Sequence, residues 1–426
     1  MTDTSSSPIV YGSNAIPSST LKDSLPSASC CLAKPHHELP PFPAHDRGRV
    51  DIPIAVHQGL YYAKVLLGSP PKEFLVQIDT GSDGLWNYYD ESVSSTSYLI
   101  SCSDKLCSRA ANTCTSDRQA LCSYTLHHSS GTKVEGYYVS DVLHLNITGT
   151  SEAPPSILFG CSTSVAQPHG GLDADGVFGF GRHGFSVITQ LDSLGVAAHV
   201  FSHCLDSVTG GGVLTIGYPQ EPEIVYTPLV RDVIKYEIKL ESVSVNGQTL
   251  PINQSLLRQG RTRVDLGIAQ AYLARGAFLH LLDAITKLAP DYAQPTVRSG
   301  VRCYLSNYSI HGRFPGVNLN FADNASMHLR QQDYLVQQPS ECDTEVWCIG
   351  FIESTNQDTV LGDLFLRDKV IVYDLEGQRI GWTDKSDCPS YINATASAPS
   401  GVSSEPEILL TVIALLLLAS FSLAIM

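Results

Sequence analysis

The chain has 426 residues, 43% of them hydrophobic, which is too long for one ordinary core and suggests two domains or lobes. Its 42 acidic and 27 basic residues leave a net charge of −15. That balance argues against a nucleic-acid partner, because phosphate binding needs clustered Lys and Arg.

Residues 1–50 are rich in Ser, Pro and His and show no periodicity. They read as a disordered leader or a pro-segment remnant. No basic stretch followed by an apolar stretch opens the chain, so no secretory leader is seen and the start is read as truncated or misassigned. From Leu60 the sequence turns strand-like. LYYAKVLLG (60–68), EFLVQID (73–79), EGYYVSDVLHLNI (135–147), GVLTIGY (212–218) and KYEIKLESVSVNG (235–247) alternate or run apolar between Gly, Pro and Asn breaks. Only SVITQLDSLG (186–195) and AFLHLLDAITKLA (277–289) carry a good helical pattern. The expected fold is therefore mainly β with minor helices.

Twelve cysteines and five Asn-x-Ser/Thr sequons (Asn146, Asn253, Asn307, Asn324 and Asn393) run through these segments. No zinc-type spacing appears, so no metal is expected and the cysteines read as disulfides of an oxidising compartment. Secretory passage follows from cysteines and sequons together. Residues 391–407 form a small, polar spacer, and residues 408–426 form an apolar tail of 19 residues without a charge. Such a tail is long enough to cross a bilayer. Its terminal place behind a polar spacer also fits a glycolipid-anchor signal, with attachment roughly 8–12 residues upstream, near Ala396 to Ser400. Both readings, lipid anchor and transmembrane helix, put the protein on the extracellular face of the plasma membrane, attached through the tail.

One pattern recurs. Asp79-Thr80-Gly81-Ser82 and Asp265-Leu266-Gly267-Ile268 each close an apolar, strand-like run. Val177-Phe178-Gly179 follows the first Asp by about a hundred residues, and Val360-Leu361-Gly362 follows the second at nearly the same distance. The second stretch reads as a copy of the first.

These residues, with DGVFGFGRHGFSVITQL, VFSHCL, GGVLTIG, WCIGF and LGDLFLRDKVIVYDLEGQRIGW, resemble the pepsin-like aspartic proteases, most closely their plant nepenthesin-type branch, over roughly Leu60 to Cys388. The resemblance implies a bilobal acid-protease fold, with an N-terminal β lobe over 51–225 and a C-terminal β lobe over 226–390. It implies a peptide or protein substrate in the cleft between them, no cofactor, no metal, and a monomer. Asp79 and Asp265 would be the catalytic pair. In that family two carboxyls about 3 Å apart share one proton and serve as base and acid. Thr80, Gly81, Ser82 and Gly267 would support them, with the glycines admitting backbone close to the carboxyls.

Three departures accompany the resemblance. Leu266 and Ile268 replace the hydroxyls that should clamp the lobes and hold the outer carboxylate oxygen of Asp265. That loss, together with desolvation, should raise the pKa of Asp265. His128 takes the place of the flap tyrosine when Cys122-x-Tyr124 and Gly136-Tyr137 are aligned, although its usual neighbour Trp86 is present. The cysteine cluster that follows the first Trp in nepenthesin-type chains is absent, and no disulfide connectivity is assigned. The expected activity is that of an aspartic-type endopeptidase weakened at these positions. The alternative is a catalytically silent binding or inhibitor-type protein of the cell surface.

Overall fold

A computed structural model describes residues 49–388, apart from 58, 110–112, 115–119, 128–132, 146–152, 167–173, 209, 222, 340–343 and 386–387. Residues 1–48 and the apolar tail lie outside the described residues, while Val50, read as the end of a disordered leader, instead opens a strand with its side chain buried. Among those described, no helix is long and apolar enough to cross a membrane.

The chain is mainly β, as the alternation predicts. Strand Val50–His57 shows the cause: Val50, Ile52 and Ile54 face inward while the residues between them face out. Strands Val200–Leu205 and Lys369–Asp374 bury all six of their residues, as strands covered on both faces do. They pair antiparallel, from Val200 opposite Asp374 to Cys204 opposite Val370. This pairing brings the last strands of the chain into the fifteen-stranded sheet that carries the N-terminal half. Three smaller sheets of five, four and four strands carry most of the chain after Glu237.

The two predicted helices form as Val187–Ser193 and Arg275–Leu288. The longer one buries Ala277, Leu281 and Ile285, spaced four apart along one face. Lys105–Arg109, Gln254–Gln259 and Asp363–Leu366 are helices that the sequence reading did not find. Each is at most six residues, too short to show a period.

The internal repeat has a structural meaning. Strand Gly176–Phe180 lies parallel to Lys72–Asp79, with Gly179 opposite Asp79. Strand Thr359–Leu361 lies parallel to Thr262–Val264, with Leu361 opposite Val264. In both copies the distant apolar strand braces the strand that ends in the Asp turn.

Disulfides link Cys107 to Cys122, Cys204 to Cys388 and Cys303 to Cys348. Cys102 is also disulfide-bonded. Cys161 is free and buried.

Candidate active site

Asp79 ends its strand and Asp265 directly follows Val264, so each carboxyl is delivered by the last residues of a braced strand. The fold brings the two turns together. A Cβ on Gly81 would lie 2.7 Å from Oδ1 of Asp265 and 3.0 Å from Oδ1 of Asp79. A Cβ on Gly267, at φ +146°, would lie 2.7 Å from Oδ1 of Asp79. Real side chains do not tolerate such approaches, so glycine at both positions is what lets each turn crowd the opposite carboxyl.

The two copies hold their carboxyls differently. The Gly81 amide donates to Oδ1 of Asp79 at 2.6 Å. No equivalent bond supports Asp265 among the described residues. The Gly267 amide instead approaches the buried carboxyl of Asp363, without the alignment of a hydrogen bond. Ser82 does not take the role expected of it: its Oγ is buried and has no hydrogen-bond partner among the described residues. Asp79 is held by backbone rather than by that hydroxyl.

The interlobe clamp survives on one side. The Thr80 amide donates to the Leu266 carbonyl at 2.9 Å, and the Leu266 amide donates to Thr80 Oγ1 at 2.8 Å. The expectation that Leu266 leaves the turns unclamped is therefore corrected. Leucine loses the reciprocal hydroxyl, but its backbone still closes a two-bond link to Thr80. The Leu266 side chain is fully buried in the main core.

Two cations at the site escaped the sequence reading. Arg263 Nε stands 2.9 Å from Oδ2 of Asp265. Lys235 Nζ donates to the Gly81 carbonyl. Burial, and then the charge of Asp79, push the Asp265 carboxyl up to about 7, while Arg263 and Lys235 pull it down. The direction matches the sequence expectation, but the counteracting cations were not foreseen. Arg263 lies two residues before Asp265, a spacing that places both side chains on one face of a strand. Lys235 is distant in sequence and left no signal. Both line an open groove of about 480 Å³ with Ile234, Arg261, Asp358 and Val360. Asp363, from LGDLFL, sits close enough to feel the charges of both Asp265 and Asp79. Its burial holds its own carboxyl well above the ordinary range.

The flap region is a hairpin of Cys122–His127 and Lys133–His144, with Tyr124 opposite Gly136. Trp86 is buried beside its base, packed with Tyr124, Val134 and Val177. His128 falls outside the described residues.

A paired carboxyl site on glycine-bounded turns, each braced by a parallel strand, defines a pepsin-like acid-protease scaffold. Residues 61–218 match the family model described as xylanase inhibitor N-terminal, and residues 235–384 match the one described as xylanase inhibitor C-terminal. Aspartic proteinase 39 of Arabidopsis thaliana is 32% identical over 390 residues, covering 82% of this chain and 82% of that protein. Aspartic proteinase 36 of the same plant is 32% identical over 382 residues, covering 80% and 78%. Soybean basic 7S globulin shares the fold at a TM-score of 0.68 with 22% identity, over 80% of this chain and 96% of that one. Conglutin gamma from lupine seeds does so at 0.68 and 22%, over 80% and 95%. The chain belongs to the plant pepsin-like aspartic protease family.

Proposed function

We propose that the protein is an aspartic-type endopeptidase that hydrolyses peptide bonds in a cleft between lobes 51–225 and 226–390. The observation that carries this reading is the meeting of Asp79 and Asp265 across Gly81 and Gly267. A water between the two carboxyls loses a proton to the ionised one and attacks the peptide carbonyl, whose oxygen is protonated by the other. The Asp265 carboxyl, held up to about 7, supplies the acid at mildly acidic pH.

The test is digestion of a peptide library by purified protein across pH 3–7, beside Asp79→Ala and Asp265→Asn. Cleavage lost in both variants is expected. Cleavage that survives in either variant, or is absent in the wild type, would sink the reading. The specific observation favouring a silent binding protein is the loss of both hydroxyls at Leu266 and Ile268. Under that reading, peptides bind in the cleft and leave intact.

We further propose that the protein enters the secretory route and is held at the cell surface by residues 408–426. Asn253, Asn307 and Asn324 are exposed, as glycan acceptors must be. Deleting the tail should release the protein to the medium. Retention of the truncated protein on membranes would refute the attachment. Release of the full chain by a phospholipase that cuts glycolipid anchors selects the lipid form over a membrane-spanning helix.

A further inference from the structure

The two copies of the Asp turn differ in what touches the carboxylate. Asp79 accepts from the Gly81 amide, and the residue two before it is the uncharged Gln77. Asp265 accepts no aligned hydrogen bond among the described residues. Position 268 offers only hydrocarbon, and the Gly267 amide approaches Asp363 instead. In place of Gln77 the second copy has Arg263. Thr262 and Val264 on either side are buried in the core, so strand alternation turns Arg263 toward the carboxyl that follows.

The contact is close and incomplete. Nε reaches 2.9 Å from Oδ2 of Asp265. Yet this nitrogen is buried and has no aligned acceptor among the described residues. A buried donor left in that state has lost its hydration without a full replacement. A small rotation of the Asp265 carboxylate would satisfy it. An ionised Asp265 gains most from that rotation, because a hydrogen bond between two charged groups is about twice as strong as a neutral one. The arrangement thus favours the ionised form of a carboxyl that has lost its other donors.

We propose that Arg263 is a positioning residue for the candidate dyad, its guanidinium taking over the support of Asp265 that a hydroxyl at position 268 would give. The catalytic part of this role rests on the endopeptidase reading; the electrostatic part does not. The other groups facing Asp265 are Asp79 on the opposite turn, Lys235 ahead of strand Glu237–Ile238, Asp363 on the short helix Asp363–Leu366 and Tyr373 on strand Lys369–Asp374. Arg367 stands behind Asp363 and acts on it.

The test is an NMR titration of the Asp265 side-chain carbon in the full chain, assigned by comparison with Asp265→Asn. Arg263→Gln should raise the midpoint by roughly 1–3 pH units, the effect of removing an opposite charge at this range. Arg263→Lys, which keeps the charge and guards against a variant that fails to fold, should stay near wild type. Adding Ile268→Thr to Arg263→Gln should bring the midpoint back down. In peptide digestion, Arg263→Gln should lower kcat more than it raises KM and shift the pH profile with the titration. A merely structural arginine would lower stability and leave the midpoint in place. An unmoved midpoint in Arg263→Gln overturns the proposal whether or not peptides are cleaved. A moved midpoint in a chain that cleaves nothing supports Arg263 as the partner of Asp265 and removes only the endopeptidase reading.

Discussion

Thr80 carries the link between the two Asp turns almost alone. Its amide and hydroxyl both bond to the Leu266 backbone, and it is buried. Thr80→Val keeps the shape but removes the acceptor, leaving the Leu266 amide unpaired in the interior. The expected loss is about 1–3 kcal/mol of stability, while Thr80→Ser, which retains the oxygen, stays near wild type. Urea denaturation of the three proteins checks this. Equal midpoints for valine and threonine would mean that the hydroxyl carries no structural weight. The sequence announced Thr80 and both aspartates through their Asp-x-Gly frame. It also showed that Leu266 and Ile268 lack hydroxyls. It did not show that the Leu266 backbone would serve in place of its side chain, because backbone groups are present at every residue and leave no compositional trace. Ser82 misled for the converse reason: a hydroxyl in the right place in sequence finds no partner among the described residues.

Elements are legible where one face repeats and opaque where partners are remote. The helix Arg275–Leu288 and the strand Val50–His57 bury regular subsets of their residues, and periodicity found the helix. The parallel bracing of the Asp strands was legible only as two matching spacings. The turn Gln331–Asp333 and the strand Lys369–Asp374 show the opaque case. Lys369 and Asp333 are both buried, 3.1 Å apart, and Arg330 holds the same carboxylate at 2.9 Å. Nothing in either segment names the other. Asp333→Asn leaves Lys369 charged and buried, and among the described residues it keeps the Arg367 carbonyl at 3.3 Å and, as counter-charge, the exposed Asp384 at 3.9 Å. The expected cost is about 3–5 kcal/mol. Adding Lys369→Met should recover a substantial part of that loss, because the uncompensated charge is gone. A double-mutant cycle by chemical denaturation measures the coupling. Additive losses would show that the pair does not act as a unit.

At the scale of the whole molecule, buried titratable groups set how stability responds to pH, and they oppose one another. Burial raises the Asp265 carboxyl from 3.8 to about 7. Between those values the folded chain holds a proton that the unfolded chain has released, so this group's contribution is full at low pH and is lost as pH rises. Asp363, raised for the same cause, acts in the same sense. His203 does the reverse. Packed against Tyr373 in the interior, it is lowered from 6.5 to about 3 by desolvation. Between those values the unfolded chain binds the extra proton, and this group's contribution grows as pH rises. Within its window each group can tilt stability by at most about 1.4 kcal/mol per pH unit. Two raised carboxyls against one lowered histidine give a wild type that loses stability as pH rises through the Asp265 window. Asp265→Asn removes one falling contribution and should flatten or reverse that slope. His203→Gln removes the rising one and should steepen the fall. Unfolding free energies from urea titrations at four or five pH values rank the three slopes. If the slopes coincide, neither Asp265 nor His203 titrates differently in the folded and unfolded chains. Any remaining fall with pH would then rest on Asp363 and other groups.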